Sequence, residues 1–316
     1  MNKKVVVLGG GKGISYLLAG LKDFPLDITA VISVADNGQS TGKLREEFHI
    51  PAVGDIRKVI TSLSECDENI KEMLAYRFHT TSDLDGHALG NLILTSLLDI
   101  TGSLKASIEE LSILLDVKSK ILPLTEDENI TLMGETIDGE IINGEEMITK
   151  SPKKIKRIFY KEEPHVLNEV IEAINEADLI LLSMGSLYTS LFPNLLAKKV
   201  KKALDKTKAP IMYICNIVTQ PGETDNFTVS DHVNLINQYL GTHKLDVVIA
   251  SNSPISKEMA EKYATEERKD PVKIDYAVLK SLDVEFIEAD LLTIADNTLK
   301  HHSQKLSSLI FSYLMR

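Results

Sequence analysis

Lys4-Val5-Val6-Val7-Leu8-Gly9-Gly10-Gly11-Lys12-Gly13-Ile14-Ser15 opens the chain and decides how the rest is read. Three consecutive valines and a leucine predict a buried strand, because β-branched side chains favour extended backbone and a continuous apolar run suits a strand covered on both faces. Glycines then permit a sharp turn, and Ile14, Leu17, Leu18 and Leu21 recur at helical spacing. Strand, turn and helix in this order aim backbone N–H groups at the positive end of a helix, where a phosphate is stabilised. Gly10, Gly11 and Gly13 are therefore candidate phosphate-binding residues, with Lys12 supplying a charge. The loop is not a Walker A sequence, since no Ser or Thr follows the lysine, nor a complete GxGxxG, since Ile14 holds the last glycine position. An ordinary tight strand-to-helix turn would use the same glycines.

Outward from this loop, Ile28 to Val34 is a second continuous apolar run, and further strand-like runs follow at Leu179 to Leu182, Ile211 to Ile214 and Val247 to Ala250. Leu89, Leu92, Ile93 and Leu97 mark a buried helix, and other helical patterns lie between several of the strands. This alternation predicts an α/β fold, Rossmann-like and doubly wound, with a mostly parallel sheet. From Ile130 to Ile148 short β-like pieces surround Asp138-Gly139 and Asn143-Gly144, dipeptides that suit hairpin turns. The expected organisation is one domain over 1–316 with an inserted antiparallel β subdomain at about 125–165; two separate domains are the second choice. The basic run from Lys150 to Lys156 is expected to be a solvated edge or loop.

With 316 residues, 43% of them hydrophobic, the chain can bury a large core. The formal net charge of -11 lacks the footprint of a general nucleic-acid or anionic-membrane binder. Cys66 and Cys215 form no CxxC pattern and fit a reducing compartment. No signal-peptide-like segment precedes the glycines, and Leu179 to Phe192 is too short and too interrupted by Ser, Gly and Thr to span a bilayer. A cytoplasmic location without membrane insertion is expected. The implied partner is a small nucleotide-like molecule; protein partners and a homo-oligomer are left open.

Further candidates sit where strand carboxyl ends should gather. Beyond the second strand, Asp36, Asn37 and Ser40 can meet phosphate or sugar hydroxyls, or cap the loop locally. Asp36 is also the candidate catalytic carboxylate, and Asp36 and Asp55 are the candidate metal ligands. Asp55 begins a helix in Gly54-Asp55-Ile56-Arg57-Lys58, where an N-cap is the plain alternative. His87 and Asn91 flank an apolar helix and could orient a ligand. Gly185 and Ser186 could serve a second phosphate, while Asn216 and Thr219 could read a base or sugar edge. No Ser-His-Asp order or Cys-His pair is assignable.

The motifs GGGKGIS (9–15), VADNGQSTGKLR (34–45), VGDIRK (53–58), GHALGNLIL (86–94), MGSLYTSLFPNLL (184–196) and CNIVTQPGETD (215–225), in that order, resemble the CofD-like family, and within it the YvcK branch of gluconeogenesis factors. The resemblance covers most of the chain. It implies a Rossmann-like fold with a cleft at the strand carboxyl ends. For the YvcK branch it implies binding of UDP-sugars, chiefly UDP-N-acetylglucosamine, and a link to gluconeogenic growth and cell shape. For the CofD branch it implies transfer of a 2-phospholactyl group from a nucleotide-activated donor to a deazaflavin, with Mg2+. Lys12 stands where the family loop usually has Thr, and Asn37 and Gln39 where an acidic and a small residue are common. The acid missing at Asn37 removes one potential metal ligand, which weakens the transferase reading. Lys300 stands where a family segment often has Arg; it can neutralise a phosphate but lacks the bidentate fork.

Overall fold

The computed structural model describes residues 2–295 and 297–316. Twelve strands are present among these: β1 (Lys3–Gly9), β2 (Leu26–Ile32), β3 (Lys120–Pro123), β4 (Leu132–Thr136), β5 (Ile141–Asn143), β6 (Ile155–Tyr160), β7 (Leu179–Leu182), β8 (Ile211–Ile214), β9 (Val247–Ser251), β10 (Glu285–Ala289), β11 (Leu292–Ala295) and β12 (Thr298–His301). Seven of them form one sheet in the order β10-β9-β8-β7-β1-β2-β3. Every pairing within it is parallel. The fold is therefore α/β and doubly wound, with its order reversing between β1 and β7.

Alternation along each strand builds a core on both faces, since successive side chains point to opposite sides. Val5, Val7, Ile28, Ala30, Leu179 and Leu181 face one side, where helices Gly11–Leu21, Gly54–Leu63 and Ser303–Leu314 cover them. Val6, Leu8, Val31, Ile180, Leu182 and Tyr213 face the other, beneath Asn168–Glu176, Phe192–Leu196, Lys198–Leu204 and Val229–Tyr239. Burial on both sides is why these strands read as unbroken apolar runs. Cys215 is buried and Cys66 half-buried. Among the described residues no helix is long and apolar enough to cross a membrane.

Between β3 and β7 lies a three-stranded antiparallel sheet, β5-β4-β6. Asp138-Gly139 joins β4 to β5, with Gly139 at φ +83°. Asn143-Gly144 departs from expectation: it feeds the short helix Glu145–Lys150 instead of a hairpin. The Asn37 side chain explains this, because its carboxamide oxygen accepts the Glu146 amide at 2.9 Å and so ties the helix start to the loop after β2. The basic run 150–156 is neutralised locally: Lys150 pairs with Glu146 and Lys153 with Glu140, while Lys156 and Arg157 share Glu135. The β11–β12 hairpin and the C-terminal helix carried no sequence expectation.

The first helix docks unusually close to the loop after β7. A Cβ placed on Gly13 would lie 1.9 Å from the Met184 carbonyl oxygen, so the position has room only for hydrogen. Gly13→Ala should therefore lower stability by at least about 2 kcal/mol, as overpacking against backbone does. Thermal melting of the folded variant measures it; an unchanged melting temperature would contradict the close approach.

Candidate functional site

The loops that follow β1 and β7 part company at the strand-order reversal, which opens a crevice at the carboxyl ends of the strands. Gly10 is the N-cap of the first helix, and Gly11, at φ +64°, places its amide at the helix mouth. That amide donates to Oδ2 of Asp55 at 2.6 Å, and Lys58 Nζ approaches Oδ1 of the same carboxylate at 2.7 Å. Asp55 thus brings an anion of the chain's own to the amino end of the first helix, a position favoured by the helix dipole.

Asp36 lies beside it. Its Oδ1 accepts the Gly38 amide at 2.9 Å. Burial, and then the charge of Asp55, hold the Asp36 carboxyl above the ordinary range. The Asp36 carbonyl is gripped from below: Arg45 donates to it at 2.9 Å and also to the carbonyls of Glu128 (3.2 Å) and Ile130 (2.7 Å). Glu145 completes a set of three carboxyls. Burial pushes it up to about 7, with Asp36 and more weakly Asp55 adding repulsion.

The candidate metal ligands Asp36 and Asp55 are engaged within the chain in the arrangement observed. Both oxygens of Asp55 are taken by Gly11 and Lys58, and one oxygen of Asp36 by Gly38. Among the described residues no group of three or more His, Cys, Asp or Glu is placed to hold a metal ion.

The structure gives several other candidates internal partners. Ser40 bonds to His87 Nδ1 and accepts from Asn91, each at 3.1 Å, and the Asn91 side-chain oxygen Oδ1 accepts from Arg57 Nε at 3.0 Å. Burial first, then Lys43, keeps His87 below its ordinary pKa. Asn216 clasps the Gly185 backbone with both ends of its carboxamide, at 2.8 and 2.7 Å. Thr219 is spent on the backbone of Asp270. Lys12, Gly13 and Lys300 line a cleft of about 780 Å³ beside the first helix, together with Arg57 and Lys58.

Ser186 starts a turn of π-helix, Leu187–Leu191, of the kind that recurs at functional sites. Its hydroxyl donates to Glu223, with both carboxyl oxygens within 2.8 Å, and accepts from Thr189 Oγ1 at 2.8 Å. Thr149 continues the path, 3.4 Å from Thr189 and 3.0 Å from Glu145. Three hydroxyls thus join Glu145 to Glu223. Sequence reasoning missed Arg57, Glu145 and Glu223 as site groups. Arg57 carried a signal, since it lies three residues before Ile60 on the apolar face of its helix; Glu223 fell inside the motif CNIVTQPGETD without a role of its own, and Glu145 carried no signal.

Glu223 is 2% exposed, and burial pushes its carboxyl up to about 7 against the Ser186 and backbone donors that lower it. With an unfolded value near 4.5, the fold binds this proton more tightly. Its contribution to stability is full below pH 4.5 and is lost as pH rises through 7, amounting to about 3 kcal/mol for this shift. Denaturant unfolding at pH 5 and pH 8 should show the decline, and Glu223→Gln should flatten it. An equally steep decline in the variant would assign the effect to other groups.

The CofD family profile, described as 2-phospho-L-lactate transferase CofD, matches residues 5–292. The gluconeogenesis factor of Bacillus subtilis is 40% identical over 312 residues, covering 98% of each chain. That of Halalkalibacterium halodurans is 43% identical over 309 residues, covering 98% of this chain and 95% of its own. The crystal structure of a Bacillus halodurans protein superposes with a TM-score of 0.94 at 43% identity, over 98% of this chain and 100% of that one. By profile, sequence and fold, this chain belongs to the CofD family and groups with its members named gluconeogenesis factors.

Proposed function

We propose that this chain is a cytoplasmic regulator that binds a UDP-sugar, UDP-N-acetylglucosamine foremost, and couples its level to growth on gluconeogenic carbon and to cell shape. The observation that carries the reading is the cleft beside the glycine loop. On a chain of net charge -11, six cationic side chains line it against three acidic ones. Its remaining wall is largely apolar, with Tyr16, Ala19, Met184, Val218 and Leu299. The excess of cations suits a pyrophosphate, and an apolar wall suits a base or sugar face. The names of the relatives support the link to gluconeogenesis.

Calorimetry against UDP-N-acetylglucosamine, UDP, GDP and NAD tests the ligand. Heat with the UDP-sugar is expected; heat with NAD alone, or with none, would sink the reading. Gly11→Val should weaken binding, because a branched side chain would crowd the helix mouth; the change also strains the turn at φ +64°, so circular dichroism must show the variant folded before its affinity is read.

The convergence of Asp36, Asp55 and Glu145 favours a second reading, transfer of a 2-phospholactyl group to a deazaflavin. The two readings predict opposite behaviour for Asp36→Asn. In a binder the change costs roughly 1–2 kcal/mol of affinity, and the UDP-sugar is recovered intact after long incubation. In a transferase, turnover falls by several orders of magnitude. Mass spectrometry of donor and product, with deazaflavin and magnesium supplied, distinguishes them.

A further inference from the structure

Arg57 is the most heavily buried cation in the cleft wall. Its residue surface is only 6% exposed, yet it borders the cleft. Of its five N–H donors one is used, Nε to Asn91 at 3.0 Å. No carboxylate lies within ion-pairing distance of it among the described residues. Asp55, the acid on its own helix, is occupied by Gly11 and Lys58. Of the three acids bordering the cleft, Glu68 and Glu267 pair with Lys71 and Lys269, and Glu72 lies outside ion-pairing distance of Arg57. Burying a guanidinium without a counter-charge is costly, and such groups are ordinarily paired.

The surroundings are built around this side chain. A Cβ on Gly90 would meet Arg57 Cδ at 2.6 Å and the Leu74 carbonyl oxygen at 2.8 Å, so glycine there lets the arginine stem cross the helix Leu89–Thr101. The Ser40, His87 and Asn91 chain then fixes Nε. Burial, and then a second guanidinium at Arg77, hold Arg57 below the ordinary arginine value, and the charge of Asp55 offsets them only in part. An anion from solution is the partner that would compensate it.

We infer that Arg57 is an anion-gripping residue of this cleft, offering its terminal N–H groups to the pyrophosphate of the bound nucleotide across from Lys12 and the first helix. The inference rests on the UDP-sugar reading for the identity of the ligand, but not for its charge. Arginine suits the task because its planar fork matches two phosphate oxygens at once, which the compact ammonium of lysine does not. Loss of such a charge-assisted pair should weaken binding roughly 10- to 100-fold.

Calorimetry and thermal melting of wild type, Arg57→Gln and Arg57→Lys, each with inorganic pyrophosphate and with UDP-N-acetylglucosamine, test the proposal. The wild type should bind pyrophosphate and melt higher with it. Arg57→Gln should lose that gain and the affinity, Arg57→Lys should retain part of both, and ligand-free Arg57→Gln should melt no lower than wild type. Equal pyrophosphate affinity in all three proteins would overturn the proposal, as would a ligand-free Arg57→Gln that melts lower yet binds as tightly. Pyrophosphate binding that depends on Arg57, without any nucleotide binding, supports the inference while refuting the UDP-sugar reading. UDP-sugar binding unaffected by Arg57→Gln does the reverse.

Discussion

The hydrogen bond from the Gly11 amide to the Asp55 carboxylate is the joint on which the site depends. It fastens the turn after β1 to the helix Gly54–Leu63 and, through Lys58, settles the charge of that helix's first turns. Asp55 acts on groups of both signs: its charge helps hold the Asp36 and Glu145 carboxyls up, and it favours the charge of Arg57, which with Lys58 is carried by the same helix into the cleft wall.

The fold was legible because its signals are local. A strand buried on both faces must be apolar at every position, so β7 and β8 were bounded correctly at Leu179–Leu182 and Ile211–Ile214 from composition alone. Asn143-Gly144 misled because the same dipeptide that closes a hairpin can start a helix when a distant side chain, here Asn37, accepts the next amide. Such a contact spans 109 positions and leaves no trace in the neighbouring sequence.

Site residues were legible as segments more than as roles. Ser40, His87 and Asn91 read as loop residues; the structure puts Ser40 in the helix Gln39–Phe48 and Asn91 inside Leu89–Thr101, and joins all three to one another and to Arg57. Gly13, chosen as a phosphate contact, has a packing reason to be glycine in the Met184 carbonyl. The roles of Glu145 and Glu223 were not legible because a glutamate in a polar stretch looks solvated until the tertiary fold buries it. The raised pKa of each belongs to the assembled surroundings.

Arg45 adds a distinction between mechanical and electrostatic coupling. Its guanidinium holds the Asp36 loop to the segment 128–130 through backbone carbonyls alone. Neither an arginine nor a carbonyl titrates near neutrality, so the bonds of this clamp do not change with pH. Glu145, on the short helix that Asn37 ties to the same loop, has its carboxyl pushed up to about 7. Acidity near neutrality therefore alters the charge beside Asp36 while the arginine keeps its own bonds, a mechanical fastening indifferent to the potential around it.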